Sequence, residues 1–284
     1  MGPEAAVPIV VLTAAVLHAV WNALAHSATD KLAGMALMNC AFLGCGLALT
    51  ALFPLPGAAA LPYLAASTAC QLGYQLLLVR AYRLGDFGQM YPIARGTSPL
   101  AVALLSVTLL HRTLPGSTWA GVLVISLGLA GLALAGGAPG REQLPALGAA
   151  LATGVLISGY TVIDGTGVRV SASVGGYIAW MFVTQGAAML LVAFAVRGRD
   201  LRGAMRGGRL RGLTGGVLSL TAYGLVVWAQ SYGELAVIAA MRETGIVVAA
   251  VIGAVVFRER LGHWRLAAGA TVLAGIAVLQ LAPG

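Results

Sequence analysis

Residues 85–95 read GDFGQMYPIAR and residues 233–242 read GELAVIAAMR, and each stretch opens a long apolar segment. The similarity continues downstream, where residues 111–114 (HRTL) and 258–261 (RERL) each precede a segment rich in small residues. The offset is 148 residues at the start and 147 at the end, so the chain contains an internal repeat with a single-residue slip. Each copy holds about five apolar spans, and an odd number of crossings gives the second copy the opposite orientation in a membrane.

The composition excludes a soluble globular domain. Of the 284 residues 59% are hydrophobic and 9% are charged, and the mean hydropathy is +0.90, whereas a soluble domain needs about 25% charged residues. A window of roughly 19 residues predicts ten membrane-spanning helices, each long enough to cross about 30 Å of hydrocarbon. They are Val7–Ala25, Leu32–Phe53, Leu61–Val79, Phe87–Leu110, Thr118–Ala135, Leu144–Ile163, Val174–Val196, Gly212–Tyr232, Leu235–Phe257 and Trp264–Leu281.

The predicted fold is an all-α integral membrane protein. About ten transmembrane helices form two inverted five-helix repeats, residues 1–138 and 139–284, around a central cavity. The apolar N-terminal stretch lacks a basic region and carries Glu4, so we expect it to be a retained first span rather than a signal peptide. The connections are short and leave no room for a separate soluble domain.

The basic residues predict the orientation. The net charge is +8, and basic residues collect in cytoplasmic loops. With the N-terminus outside, the cytoplasmic connections hold 13 of the 17 basic residues, six of them in Arg197–Arg211. We therefore expect both termini outside and no nucleic-acid partner. The three cysteines, Cys40, Cys45 and Cys70, lie in apolar spans without metal-ligand spacing, which favours a packing role and predicts no metal site.

Two motifs carry a resemblance to a known family. Residues 80–99 read RAYRLGDFGQMYPIARGTSP and are followed by an apolar helix, a charged cap and a small-residue helix. This pattern resembles the EamA-type branch of the drug/metabolite transporter superfamily, and HAVWN at residues 18–22 resembles a bacterial subgroup with permeases associated with phosphonate use. The resemblance implies a central cavity formed mainly by helices one, three, four, six, eight and nine. Glu259 matches an acidic turn of the family, but the equivalent first-repeat residue is Arg112.

Charged residues deep in the spans are the first candidates for a substrate site. A charge at membrane depth costs about 2.5–3.5 kcal/mol on insertion scales and faces the bundle interior or a wet cavity. Arg95 lies about two turns into the fourth span, and Arg242 with Glu243 lies about two turns into the ninth. Inversion predicts Arg95 about a third of the way in from the cytoplasmic face and Arg242 the same distance from the outer face, so that a cation near each mouth would attract an anion. The alternative is that Arg95 and Glu243 form a buried ion pair across the repeat axis.

Polar and aromatic residues at helical spacing supply the rest of a lining. Interhelical hydrogen bonding is the alternative role for each of them. The predicted substrate-binding residues are Arg95, Arg242, Glu243, Tyr91, Ser98, His18, Trp21, Asn22, Gln71, Tyr74, Gln75, Tyr160, Tyr223 and Trp228. The sixth span also carries Asp164, but Glu243 is interpreted as the only acid deep in a span and the better proton carrier, ahead of His18.

These features predict a secondary transporter rather than an enzyme. It would move a small anionic or zwitterionic metabolite, such as an amino acid, carboxylate or phosphonate, across the bacterial inner membrane by alternating access. The partners are the substrate, the lipid bilayer and protons as a candidate coupling ion, with no cofactor and with monomer and weak homodimer both open. A multidrug or cation exporter of the same fold is the alternative. A membrane enzyme would need a nucleophile-base set or paired acids on one helix face, and neither pattern is present in the sequence.

Overall fold

A computed structural model describes residues 2–26, 30–84, 87–134, 140–248, 251 and 262–281, with the backbone alone at 23–26, 78–79, 81–84, 87–89, 91, 265 and 281. Within these ranges the regular secondary structure is entirely helical, which confirms the predicted all-α class. The first seven helices are α1 Pro3–His26, α2 Lys31–Thr50, α3 Leu61–Leu84, α4 Phe87–Thr108, α5 Gly116–Leu134, α6 Leu144–Val170 and α7 Val174–Arg197. The others are α8 Asp200–Ala204, α9 Arg209–Gln230, α10 Leu235–Met241 and α11 His263–Leu281, with short 3₁₀ turns at Ala58–Ala60, Arg141–Gln143 and Arg206–Gly208.

Six of the described helical segments are long and apolar enough to cross a membrane by themselves, and the stretch Leu266–Gln280 is a shorter apolar helix. The six are Pro3–Asn22, Lys31–Thr50, Gly116–Leu134, Arg141–Val170, Val174–Arg197 and Asp200–Gln230. Helices α3 and α4 have the necessary length but carry buried polar residues such as Gln71, Gln75 and Arg95. Both of these less apolar helices carry candidate site residues.

The ninth predicted span is not one continuous helix. The prediction of Leu235–Phe257 is wrong at Arg242 and Glu243, which form a turn between α10 and a helical stretch at 244–248. At this break the amides of Glu243, Gly245 and Ile246 each bond to the carbonyl three residues earlier. This is the 3₁₀ pattern, which in mid-helix often marks a functional hinge. The rest of the predicted span lies outside the described residues, except for residue 251.

One compact unit comprises residues 1–72 and 163–232. Its core packs Phe42 of α2, Tyr177 and Phe182 of α7 and Val227 of α9. Helices α2 and α7 run antiparallel, because Gly46 lies against Val183 while Gly186 lies against Leu43. A methyl group on Gly186 would lie 2.7 Å from the backbone nitrogen of Leu43, so glycine permits this close approach.

The other compact unit comprises residues 73–162 and 233–284. Helices α5 and α11 form its largest core, with Val122, Ile125, Leu129 and Val272 fully buried. These helices also run antiparallel, because Gly121 lies against Leu279 and Gly128 against Thr271. Helix α10 packs on α4 and α5, and Leu235 and Ala239 share a cluster with Val102.

Each compact unit draws helices from both sequence repeats. Helices α2 and α7 are the second spans of their repeats, and α5 and α11 are the fifth spans. Counterpart helices that pack antiparallel are what two inverted copies related by a two-fold axis would produce. The repeat boundaries at residues 138 and 139 stay a prediction about sequence duplication, and the compact units follow a different division.

Candidate functional site

Arg95 and Glu243 form a buried ion pair. Arg95 is 5% exposed and Glu243 is 2% exposed. The Nη2 of Arg95 lies 2.9 Å from Oε1 of Glu243, and its Nε donates to Oε2 at 3.1 Å. Two parallel bonds from one guanidinium make a bidentate pair, the strongest arrangement that these groups adopt. Replacing a buried pair with packed apolar side chains is often neutral or stabilising, so stability alone does not explain this pair.

The ion pair lies on the break in the ninth span. The Nη2 of Arg95 also donates to the carbonyl oxygen of Arg242 at 3.4 Å, and that carbonyl accepts the amide of Gly245. The charge of Arg242 acts on the carboxylate of Glu243 as well. Arg95 thus neutralises the acid and contacts the irregular backbone, as expected where a helix is interrupted inside a membrane protein.

Arg95 and Arg242 approach each other at this break. They are counterparts in the sequence repeat, and the guanidinium of Arg95 reaches the backbone carbonyl of Arg242 at 3.4 Å. The expected depths of the two arginines, each about a third of the way in from opposite faces of the membrane, stay a prediction.

Other predicted residues of this unit lie on α3, α4 and α6. The rings of Tyr74 and Tyr160 meet edge to face with their centroids 5.7 Å apart. Ser98 is buried, and its carbonyl accepts the hydroxyl of Ser158 at 3.2 Å, which joins α4 to α6. Gln75 is also buried. The side chain of Tyr91 lies outside the described residues.

The three predicted residues of the first span contact one another. The indole Nε1 of Trp21 donates to Nδ1 of His18 at 3.1 Å, and Nδ2 of Asn22 donates to the His18 carbonyl at 2.8 Å. An Nδ1 that accepts a hydrogen bond carries no proton, which is the neutral form of histidine. This geometry does not favour His18 as a proton carrier.

A second buried acid lies in the other unit. Asp164 of α6 is 0% exposed, and its Oδ1 and Oδ2 accept the hydroxyl groups of Tyr177 at 3.0 Å and Tyr223 at 2.6 Å. The Ser67 hydroxyl and the Gln71 amide nitrogen of α3 lie within reach of the same carboxylate as further donors, in poorer hydrogen-bond geometry than the two tyrosines. We name Asp164, Tyr177, Tyr223, Ser67 and Gln71 the Asp164 cluster.

The interpretation of Glu243 as the only deep acid is therefore wrong. Asp164 is more completely buried and lies inside a helix that qualifies as a membrane span. The predicted sixth span ended at Ile163, one residue before Asp164, whereas α6 continues to Val170, so the rule that selected Glu243 did not place Asp164 deep in a span. Tyr177 gave no signal of a site, because a tyrosine near a helix start is also typical of an interfacial anchor. Of the remaining predicted residues, Trp228 packs on Tyr232 with ring centroids 4.9 Å apart.

Comparison with known proteins agrees with this architecture. A solved crystal structure has a TM-score of 0.77 with this protein at 20% identity, covering 97% of this chain and 98% of that chain. At this identity the likeness shows the fold alone, and it extends over both repeats. No curated protein matches the chain. The model of the EamA-like transporter family matches residues 144–281. Residues 144–281 thus form a domain of the EamA-like transporter family, whose members are membrane transporters of the drug/metabolite type rather than enzymes.

Proposed function

We propose that this protein moves a small anionic or zwitterionic metabolite across the bacterial inner membrane by alternating access. Arg95 is the principal substrate-binding charge and Arg242 the secondary one. The observation that carries the proposal is the bidentate Arg95–Glu243 pair at the break in the ninth span. A guanidinium fork binds carboxylate and phosphonate oxygens with the same geometry that it uses for Glu243.

In this mechanism the substrate exchanges with Glu243. An incoming carboxylate or phosphonate takes the two donor positions on Arg95 that Glu243 occupies without substrate. Glu243 then retains the positive neighbour Arg242, whose charge already acts on it, so the acid is not left alone in a medium of low polarity. The exchange releases the bonds from Arg95 to the turn at 242–243 and lets the broken helix change its arrangement.

The remaining candidates for substrate contact are the polar and aromatic side chains selected from the sequence. The family resemblance supports them, because the helices that carry them are those expected to form the pathway. They are His18, Trp21, Asn22, Gln71, Tyr74, Gln75, Tyr91, Ser98, Tyr160, Tyr223 and Trp228, together with Glu243.

A ligand-stabilisation screen of the purified protein tests the substrate class. A ligand at 100 times its Kd adds about 2.7 kcal/mol to stability, which is easily seen as a rise in Tm. Monocarboxylates, zwitterionic amino acids and alkylphosphonates should raise the Tm, whereas organic cations should not. A hit set made only of organic cations would overturn the proposal in favour of a cation exporter of the same fold.

Variants of Arg95 test whether this residue binds the ligands that the screen identifies. Arg95→Lys keeps the charge but loses the fork, and the loss of about 1.5–3 kcal/mol in charge-assisted hydrogen bonding weakens binding roughly 10- to 100-fold. Arg95→Gln should abolish transport into liposomes. Arg112→Gln, which removes an exposed arginine between α4 and α5, is the matched control and should leave transport unchanged.

The double variant separates substrate binding from a structural role. In Arg95→Gln with Glu243→Gln the buried pair is replaced by neutral groups, so folding should recover while transport stays absent. Normal transport by the double variant would show that Arg95 serves only to neutralise Glu243.

A further inference from the structure

We propose that Asp164 is a proton-binding site of this protein, held ready by the hydroxyl groups of Tyr177 and Tyr223. The inference deepens the proposed function, since it rests on a coupled carrier and names the group that takes the coupling ion. The sequence pointed to Glu243 in the ninth span as the proton carrier, and this inference assigns that role to Asp164 of α6 instead.

Charge compensation distinguishes the two buried acids. Glu243 has the guanidinium of Arg95 at 2.9 Å. Asp164 is even less exposed than Glu243, but no arginine, lysine or histidine nitrogen of the described residues lies within ion-pair distance of it. A buried carboxylate without a cation is costly inside a membrane. The positive charge that Asp164 needs must therefore come from solution.

The surrounding groups suit a proton better than a metal ion. Each carboxylate oxygen accepts a tyrosine hydroxyl, and the 2.6 Å bond from Tyr223 has the length of a hydroxyl donating to an ionised carboxylate. Hydroxyl groups that donate present hydrogen atoms to the site, whereas a metal ion needs lone pairs. No group of three or more His, Cys, Asp or Glu side chains in the described residues could hold a metal ion.

The cluster can satisfy both forms of Asp164. In the ionised form the two tyrosine hydroxyls donate to it. When a proton binds, the carboxylic acid becomes a donor, and a hydroxyl that can turn round must accept from it. The hydroxyl of Ser67 is 0% exposed, lies beside this carboxylate and makes no well-formed hydrogen bond among the described residues, so it can turn and accept this hydrogen. Protonation thus weakens a hydrogen bond from Tyr223 of α9 or Tyr177 of α7 and forms one to Ser67 of α3.

The position of the cluster gives a short path to one membrane surface. Asp164 lies six residues before the end of α6, roughly 9 Å along the helix axis. Tyr177 lies close to the start of α7, which follows α6 directly. The titratable groups that face the cluster in the described residues are Tyr177 and Tyr223 themselves, and Tyr63 and Cys70 of α3, which interact electrostatically with Tyr177 and Asp164 respectively.

Infrared difference spectroscopy of the purified full-length protein tests the inference without a substrate. Titration from high to low pH should produce the carbonyl stretch of a buried carboxylic acid in the native protein and not in Asp164→Asn. Tyr223→Phe should keep this band at a changed frequency, because the acid loses a hydrogen-bond partner. Asp164→Glu, which retains an acid if the asparagine variant does not fold, should also move the band.

Two results would overturn the inference. If the band disappears in Glu243→Gln and persists in Asp164→Asn, the proton belongs to Glu243. If sodium chloride raises the Tm relative to choline chloride in the native protein but not in Asp164→Asn, the site binds a metal cation. Neither readout depends on Arg95 or on a transported ligand. A failed substrate screen would therefore not contradict the Asp164 inference. An absent Asp164 band would likewise not contradict the proposal for Arg95.

Discussion

At the residue scale, the partners of three acidic side chains decide what each can do. Glu243 is neutralised by an arginine, whereas Asp164 accepts hydrogen bonds from two tyrosine hydroxyls. Asp30 lies outside the spans and has two partners, since Oδ1 accepts the amide of Ala33 at 3.1 Å and Oδ2 accepts Nη1 of Arg197. The same functional group thus serves as an ion-pair partner, a candidate proton site and a helix cap.

The pH dependence of stability should reveal the Asp30–Arg197 pair. The hydrogen bond from Arg197 holds the pKa of Asp30 below its usual value of 3.8. The folded pKa is the lower one, so the pair stabilises the protein at all pH values above 3.8 and loses its effect as pH falls through the folded pKa. The side chains are about one-third exposed, which limits the contribution to about 1 kcal/mol or less.

Two variants separate the charge of Asp30 from its capping bond. Asp30→Asn keeps a good cap and loses the charge, so its Tm should fall slightly at pH 7, and the difference from the native protein should shrink as pH falls below 3.8 and through the folded pKa. Asp30→Ala also loses the cap, which lowers the free energy of unfolding by about a further 1 kcal/mol at any pH. Equal Tm values for the two variants at pH 7 would show that the capping bond contributes nothing.

At the element scale, close helix contacts depend on individual glycines. In α9, a methyl group on Gly216 would lie 2.7 Å from the Met38 carbonyl oxygen in α2 and 2.7 Å from Ala41 Cβ. A methyl group on the adjacent Gly215 would meet no atom within 4 Å. Gly212, four residues before Gly216, also lies against α2, at Leu37, and small residues at this spacing indicate close helix packing.

Alanine at each of these positions provides a matched test. Gly216→Ala should destabilise the protein by about 1–3 kcal/mol, because α2 and α9 must separate to accommodate the methyl group. Gly215→Ala should be neutral or stabilising by up to about 1 kcal/mol, since alanine favours the helix. Thermal unfolding in detergent, followed by circular dichroism, measures both. A similar loss in the two variants would contradict the packing of α2 against α9.

At the scale of the whole molecule, contacts within one unit and the distribution of charge together predict which connections lie on the cytoplasmic side. Asp30 at the start of α2 contacts Arg197 at the end of α7, so the connections before α2 and after α7 share one side. At their other ends Pro54 lies against Gly176. With six arginines in the connection after α7, that side is expected to be cytoplasmic.

Reporter fusions test this orientation. A reporter that fluoresces only in the cytoplasm should be bright within residues 197–211 and dark after Gly284. Replacing the arginines of that connection with glutamine should reduce the bias. A bright C-terminal fusion would reverse the predicted orientation of both termini.

The sequence by itself determined the all-helical membrane class, because hydropathy and helical length are local properties of a chain in lipid. It also selected Arg95 and Glu243, since a charge inside an apolar stretch is visible without a structure. Only the tertiary structure decided that they bind each other, that the ninth helix breaks at Arg242, and that Asp164 meets two tyrosines. These outcomes join residues far apart in the chain, such as 95 and 243, and depend on which helix faces pack together. Local hydropathy carries no information about that choice.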